Sequence, residues 1–230
     1  MARNTAKPET LPKEKTAAAG IGLFTALAII GLLLWGFALL ADEFSEKGQL
    51  AQLDLAVLNF FQLHGSETGE RVFAFVSWLG APVLLVVEVA VAGWLAFHRS
   101  WRSFTLWLTT IVGGAALDEI LKLSFRRARP EVASEFIHSG SWSFPSGHAM
   151  NSLVGYAMLA FLLRQHVESA RLRFAIAFAA TLLIAAIGFS RLYLGVHYLS
   201  DVTAGYLAGS AWVLACITAD RRIGAKRIRR

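Results

Sequence analysis

Six long runs of this chain contain few or no charged residues. They cover residues 16–41, 72–97, 103–117, 149–163, 174–190 and 192–219, and Glu88 and Asp201 are the only charged residues inside them. A bilayer core about 30 Å thick requires roughly 20 apolar residues in a helix, and only helices or closed barrels satisfy the backbone within lipid. We therefore predict an all-α, polytopic integral membrane protein with six transmembrane helices.

The composition agrees with a membrane protein and excludes several other classes. Hydrophobic residues make up 56% of the chain and charged residues 17%, whereas soluble domains average about 45–50% and about 25%. Disorder is excluded by the hydrophobicity, and a disulfide scaffold by the single cysteine, Cys216. The first run is longer than the 7–15 residues of a signal-peptide core, so an uncleaved span is favoured over a signal peptide.

The basic residues predict an orientation. The N-terminal arm, the second and fourth connections and the C-terminal tail contain 15 of the 22 lysines and arginines, and such segments face the cytoplasm. We predict a cytoplasmic arm at residues 1–15, a membrane domain at 16–219 and a basic cytoplasmic tail at 220–230. Topology then explains the net charge of +6, and we expect the bilayer, not nucleic acid, as a partner.

The connection between the first two spans contains apolar residues at helical spacing. They are Leu50, Leu53, Val57, Phe60 and Phe61, within the acidic segment 42–71. This pattern predicts an amphipathic helix that lies on the outer membrane surface.

Several basic residues break the topology rule near the outer ends of spans three and five. They are Lys122, Arg126, Arg127, Arg129 and Arg191. A bound anion at the outer face would explain this exception.

A histidine and an aspartate follow in the last apolar run. His197 and Asp201 are four residues apart, which on one helix would place the carboxylate beside the imidazole. An aspartate that accepts from one ring nitrogen leaves the lone pair on the other directed outward, as a nucleophile or a base requires.

A tight turn precedes the fourth span. Pro145 and Gly147 set the turn, and Ser146 is a natural N-cap, so the backbone N–H groups of Gly147 and His148 would form an anion-binding helix N-terminus. Together with Lys122, Arg129 and Arg191, this predicts a site for a tetrahedral oxyanion that contains two histidines.

Two other interpretations compete with an oxyanion site. Two histidines and an aspartate could bind zinc, but three cations would repel a dication, so we expect no metal and no cofactor. Single polar residues can also bridge helices or snorkel. Three separate segments with complementary ionisable residues at one membrane level instead favour a functional site.

These segments resemble the type 2 phosphatidic acid phosphatase superfamily of membrane lipid phosphatases. Its first motif, a lysine, six residues and Arg-Pro, matches residues 122–130; its second is Pro-Ser-Gly-His at 145–148; its third, Ser-Arg, five residues, His, three residues and Asp, matches 190–201. One minor variation is Ala128, where many members have a further proline.

The resemblance implies a role for each motif residue. His197 would be the nucleophile that forms a phosphohistidine, Asp201 its orienting residue, and His148 the acid that protonates the leaving oxygen. The phosphate would be held by Lys122, Arg129, Ser146, Gly147 and Arg191.

The resulting prediction is a metal-independent lipid phosphatase in a bacterial-type cytoplasmic (inner) membrane, whose site faces the outer side of that membrane. The resemblance implies undecaprenyl diphosphate, phosphatidylglycerophosphate or phosphatidic acid as the substrate. A lipid phosphotransferase of the same superfamily and a non-catalytic carrier of anions or lipid phosphates stay open as alternatives, although a carrier has no use for an oriented nucleophile.

Four further residues receive lesser roles. Asp118, four residues before Lys122, is expected to hold that lysine. Glu88 is expected to bridge helices away from the motifs, and His138 and Trp142 to shape the substrate entrance.

Overall fold

A computed structural model describes residues 13–43, 48–130 and 142–228, and all regular structure in these ranges is helical. The helices are α1 (Lys13–Glu43), α2 (Gln49–His64), α3 (Glu67–Trp78), α4 (Pro82–Phe97), α5 (Trp101–Phe125), α6 (Gly147–Gln165), α7 (Ala170–Tyr193) and α8 (Leu199–Ile228). The all-α prediction is confirmed.

Five segments of the described chain are long and apolar enough to cross a membrane, against the six predicted. They are Ile21–Glu43, Glu67–Phe97, Trp101–Phe125, Ala170–Tyr193 and Leu199–Gly224. The remaining predicted span corresponds to α6, which has 19 residues. Because α6 is surrounded by other helices, nine of its residues are buried. The chain is thus a multi-pass membrane protein.

The second apolar run is not one continuous helix. It contains the second part of α3 and all of α4, which are separated at Leu79, Gly80 and Ala81. Pro82 occupies the first turn of α4, where its missing N–H leaves no hydrogen bond broken. A Cβ on Gly80 would lie 2.5 Å from Ile187 Cγ2, so the break brings the backbone very close to α7.

The last apolar run is also interrupted, which corrects the prediction that His197 and Asp201 share a helix. The preceding helix, α7, ends at Tyr193, Gly195 has a φ of 65°, and α8 begins only at Leu199. Glycine adopts this left-handed conformation without steric cost. His197 therefore lies in the turn before α8, and Asp201 lies in the first turn of that helix.

At the centre of the bundle, α6 packs against α5, α7 and α8. Its residues Val154, Met158 and Leu162 share a core cluster with Trp107 and Val213.

Small residues let α8 approach α6 closely. A Cβ on Gly205 would lie 2.8 Å from the carbonyl oxygen of Ser146, and one on Gly209 would lie 3.1 Å from that of Met150. The two glycines are four residues apart on one face, the spacing that permits close packing of membrane helices.

The outer surface of the bundle is strongly apolar. On α1, Ile21, Phe24, Leu32 and Trp35 are each more than 60% exposed. A soluble monomer rarely exposes so large an apolar surface, whereas lipid covers it without cost.

Candidate active site

The three sequence motifs meet at one cavity of about 440 Å³. Six of the eight predicted site residues line it: Lys122, Arg129, Gly147, His148, Arg191 and His197. Each comes from the end of a helix or from an adjoining turn, so the breaks in the helices create the site. The other two, Ser146 and Asp201, are buried beside these residues.

His197 lies between a carboxylate and a guanidinium. Its Nδ1 is 3.5 Å from Asp201 Oδ2 and 3.3 Å from Ser143 Oγ, and its Nε2 is 3.0 Å from Arg129 Nη1. Arginine has no acceptor atom, so the contact with Arg129 requires the lone pair on Nε2 and the proton on Nδ1. This is the tautomer in which Nε2 can attack an electrophile.

The surroundings keep His197 neutral. Burial lowers its pKa to about 4, and this effect outweighs the nearby Asp201 carboxylate, which raises the pKa. A neutral imidazole retains the Nε2 lone pair throughout the physiological pH range.

The Asp201 carboxylate makes more contacts than the sequence predicted. It accepts hydrogen bonds from Ser143 Oγ at 2.5 Å and from the Tyr198 backbone N–H at 2.9 Å, both on Oδ2. Arg127 Nη1 donates to its other oxygen at 2.6 Å. Asp201 is completely buried, so this set of donors compensates for its lost hydration.

The start of α6 is fixed to α8 by the backbone. The Ser146 N–H donates to the carbonyl oxygen of Asp201 at 3.0 Å, and Ser146 is the N-cap of α6, as predicted. Its hydroxyl makes no capping bond, and in the described part of the chain it has no hydrogen-bond partner although it is buried. A buried hydroxyl without a protein partner is available to bind a ligand.

Two of the cations are held by neighbours inside the cavity wall. Lys122 Nζ donates to Asp118 Oδ2 at 2.6 Å, which confirms the predicted partner of this lysine. Gly147 leaves space for this pair, because a Cβ there would lie 2.5 Å from Lys122 Nζ. Arg191 Nη1 donates to Ser77 Oγ, whereas its buried Nε has no partner among the described residues.

Arg129 connects the cavity to the turn before α8. Its Nη1 donates to the carbonyl oxygen of Val196 at 2.9 Å as well as to His197. Burial lowers the pKa of Arg129, although Asp201 and Asp118 oppose this. Lys122, Arg129 and Arg191 thus converge on the space in front of His197 Nε2, an arrangement suited to a tetrahedral oxyanion.

Three residues that contact the site received no role in the sequence analysis, namely Asp54, Ser77 and Ser143. Arg127 was expected to belong to an anion-binding cluster, whereas it pairs with Asp54 and Asp201. An acidic residue among the apolar positions of α2 and a serine inside an apolar run were the available signals for Asp54 and Ser77. No spacing rule connects Arg127 with Asp54, which is 73 residues away.

The lesser predictions have mixed outcomes. Glu88 lines the cavity, so the expectation that it lies away from the motifs is wrong. The Trp142 carbonyl oxygen is 3.4 Å from Arg129 Nη2, and His138 lies outside the described residues.

Comparison with known proteins shows which family this chain is similar to. The profile described as the PAP2 superfamily matches residues 103–224, which include all three motifs. The chain is 31% identical over 142 residues to phosphatidylglycerophosphatase B of Bacillus subtilis (strain 168), covering 60% of this chain and 69% of that protein. It is 33% identical over 126 residues to the lipid A 1-phosphatase of Rhizobium johnstonii, covering 51% of this chain and 47% of that protein.

Solved structures show the same architecture. A crystal structure of a transmembrane PAP2-type phosphatidylglycerolphosphate phosphatase from Bacillus subtilis matches with a TM-score of 0.77 and 27% identity, covering 84% of this chain and 96% of that chain. The structure of LpxE from Aquifex aeolicus matches with a TM-score of 0.56 and 23% identity, covering 72% and 94%. The second match indicates a shared fold.

Proposed function

The chain belongs to the PAP2 superfamily and is a lipid phosphatase, and from this premise we propose that it removes a terminal phosphate from a lipid phosphate or diphosphate through a phosphohistidine. The observation that carries the proposal is the orientation of His197. Asp201 faces its Nδ1, Arg129 donates to its Nε2, and His197 lines a cavity together with Lys122, Arg129 and Arg191.

In the first step, Arg129 Nη1 moves its hydrogen bond from His197 Nε2 to a phosphate oxygen, and the freed Nε2 lone pair attacks phosphorus and forms an N–P bond. The bond between phosphorus and the lipid oxygen breaks and its electron pair stays on that oxygen. His148, which enters the step as an imidazolium beside the bound phosphate dianion, donates the proton that neutralises the oxygen. In the second step His148 removes a proton from water, the resulting hydroxide oxygen bonds to phosphorus, and the N–P bond breaks. Inorganic phosphate leaves and both histidines return to their starting states.

The cations would act on the transition state. Charge is distributed over the three equatorial oxygens during phosphoryl transfer. Lys122, Arg129 and Arg191, with the N–H groups at the start of α6 and the free hydroxyl of Ser146, supply donors to those oxygens. Buried Ser146 Oγ and Arg191 Nε have no other partner in the described part of the chain, which supports phosphate binding at this position.

The remaining cavity wall favours a lipid substrate. Leu84, Ile111, Ala115 and Val154 contribute apolar surface to it. Phosphatidylglycerophosphate, lipid A 1-phosphate, undecaprenyl diphosphate and phosphatidic acid are the candidate substrates. Release of inorganic phosphate from each of the four, by purified protein with EDTA present, would identify the substrate and test metal independence.

Two alternatives remain to be distinguished. A phosphotransferase would pass the phosphoryl group to a lipid hydroxyl in place of water, and a carrier would bind lipid phosphate without turnover. Release of phosphate without any added acceptor supports the hydrolase. Binding without release supports the carrier, although an oriented histidine would then have no use.

We further propose that α6 is a sixth span, that both termini face the cytoplasm and that the cavity faces the outer side, with α2 along the membrane surface. The single native cysteine, Cys216, is buried, so a Cys216→Ala background permits labelling. Glu67→Cys and Glu168→Cys place exposed thiols in opposite predicted compartments. A membrane-impermeant maleimide applied to intact cells should label only the first variant, and the reverse pattern would overturn the topology.

The two histidines can be separated by the leaving group. His197→Ala should abolish turnover of every substrate, because no N–P bond can form. His148→Ala should lose most activity towards a lipid alkoxide but much less towards p-nitrophenyl phosphate, whose leaving anion requires no proton.

The activated substrate also tests the second step. Without His148 as the base, the enzyme should release a burst of nitrophenol equal to its own concentration and accumulate an acid-labile phosphoenzyme. An equal loss on both substrates, with no trapped phosphoenzyme, would refute the acid–base assignment and leave His148 as a phosphate-binding residue.

A further inference from the structure

A buried network of charged contacts extends from His197 and Asp201 to α2. Arg127 follows the end of α5 and donates from Nη1 to Asp201 Oδ1 at 2.6 Å. From Nη2 it donates to Asp54 Oδ2, on α2, at 2.8 Å. The Arg127 side chain is 11% exposed, and Asp54 and Asp201 are at 1% and 0%. One guanidinium is therefore shared by two buried carboxylates.

Asp54 also fixes the start of α8. Its Oδ1 accepts the backbone N–H of Ser200 at 2.9 Å, and its Oδ2 accepts the Ser200 hydroxyl at 2.5 Å. The first N–H groups of a helix have no partner within the helix. Asp54 accepts one of these N–H groups, that of Ser200, although the two residues are 146 positions apart in the sequence. This contact attaches α2 to α8 directly beside Asp201.

The charges in this network are not balanced one to one. Two carboxylates interact with one guanidinium. Asp54 therefore neutralises part of the positive charge of Arg127, which would otherwise interact with Asp201 alone. Burial disfavours the charged form of Arg127, yet Asp201 and Asp54 outweigh it and raise the pKa of Arg127 above its usual value. The guanidinium thus stays charged, and its geometry allows it to bridge two acceptors at once.

We propose that Asp54 is a positioning residue for catalysis, which acts through Arg127 to orient Asp201 and to leave its negative charge available to His197. This inference rests on the proposed role of His197 as nucleophile. When Nε2 bonds to phosphorus, the ring retains the Nδ1 proton and becomes cationic. The Asp201 carboxylate then stabilises that cation. Without Asp54, the Arg127 guanidinium would interact with Asp201 alone and would compete with the His197 cation for its negative charge.

The test is a double-mutant cycle with Asp54→Asn and Asp201→Asn. Asparagine retains the shape of aspartate but removes the charge. We expect Asp54→Asn to lower kcat by about 10–100-fold with KM changed less than about threefold, a smaller loss than the roughly 10⁴-fold known for removal of a charge that directly orients a catalytic histidine. In the Asp201→Asn background the same change should cause almost no further loss, because Asp54 acts through Asp201.

A structural role predicts another result. If Asp54 only attaches α2, then Asp54→Asn should lower the fraction of folded enzyme, and its effect on rate should be equal in both backgrounds. Equal losses in the two backgrounds would overturn the inference. Rates are normalised to the fraction of folded, monodisperse enzyme in detergent, so that a loss of folding is separated from a loss of rate.

Arg127→Lys tests the same connection if Asp54→Asn fails to fold. Lysine retains the charge but cannot present a planar fork to two carboxylates, so kcat should fall as in Asp54→Asn, and unchanged kcat would contradict the proposal. Glu67→Gln, at an exposed ion pair with Arg71, is the matched control and should have wild-type kinetics. His197→Ala separates the two proposals, because its retained activity would refute the phosphohistidine mechanism itself.

Discussion

Two arginines at opposite ends of α5 both pair with aspartate, but in very different surroundings. Arg102, in the first turn of α5, binds Asp220 of α8 through Nε and Nη2, each at 2.9 Å. Arg127, just beyond the other end, binds Asp54 and Asp201. The helix has 25 residues, so its two ends are separated by roughly 37 Å. We call the Arg127 end the site end and the Arg102 end the distal end.

Bond geometry does not distinguish the two ends, but burial does. The distal pair has a bidentate contact, yet the side chains of Arg102 and Asp220 are 60% and 21% exposed. The side chains at the site end are nearly inaccessible. Exposed ion pairs contribute about 0–1 kcal/mol, whereas removal of one partner of a buried pair costs about 3–5 kcal/mol because a buried charge remains unpaired. The same two residue types therefore have different importance at the two ends.

The largest expected effect is loss of the buried cation. Arg127→Gln leaves Asp54 and Asp201 buried with no cation between them, so the free energy of unfolding should fall by about 3–5 kcal/mol. Unfolding in detergent with increasing denaturant measures this loss. A change below about 1 kcal/mol would show that water reaches the site end and that the contrast between the two ends is wrong.

A smaller loss is expected from the cations that face the cavity. Lys122→Ala or Arg191→Ala should lower kcat/KM by at least about 100-fold, the usual effect of removing one electrostatic stabiliser of a transition state. The matched control is Arg126→Ala, because Arg126 is near the site in sequence but does not line the cavity. Wild-type kcat/KM in either cavity variant would indicate that these cations only anchor the helices.

A third effect is the dependence of stability on pH. The pKa of His197 is about 4 in the folded protein and about 6.5 when unfolded, so the unfolded state binds more protons between these values. The stability from the neutral ring is complete above pH 6.5 and is lost as pH falls towards 4, by about 2 kcal/mol at pH 5. Melting temperatures at pH 7.5 and 5 should therefore differ more in wild type than in His197→Gln, and identical differences would contradict the assigned pKa.

The sequence could predict those features of the fold and the site that depend on local composition or on short, fixed spacing. Helix content and the membrane environment follow from long apolar runs, a signal that depends only on local composition. The motif residues were recognisable because each motif is a short segment of fixed spacing. The prediction of one helix through His197 and Asp201 failed because composition does not show that Gly195 adopts a left-handed φ.

The residues that were missed are held by contacts between distant segments. Asp54 contacts Arg127 and Ser200 across 73 and 146 positions, and Ser77 contacts Arg191 across 114. A single sequence shows that a charged residue lies in an apolar segment, but only packing determines its partner. Glu88 is an example, since the sequence marks it as unusual and the fold places it in the cavity wall.

The smallest expected effect is at the distal end, where Arg102→Gln is the direct counterpart of Arg127→Gln. Water and ions replace the exposed contact with Asp220, so the free energy of unfolding should change by less than about 1 kcal/mol, and less at high salt. Because Arg102 lies at the far end of α5, kcat/KM should stay within about twofold of wild type, below the effect of any single stabilising contact at the site. Parallel denaturation and phosphate-release assays of the two glutamine variants make the comparison. A large loss of activity in Arg102→Gln would mean that the distal end is coupled to the cavity through α5 or α8, and burial alone would then no longer explain the difference between the two arginines.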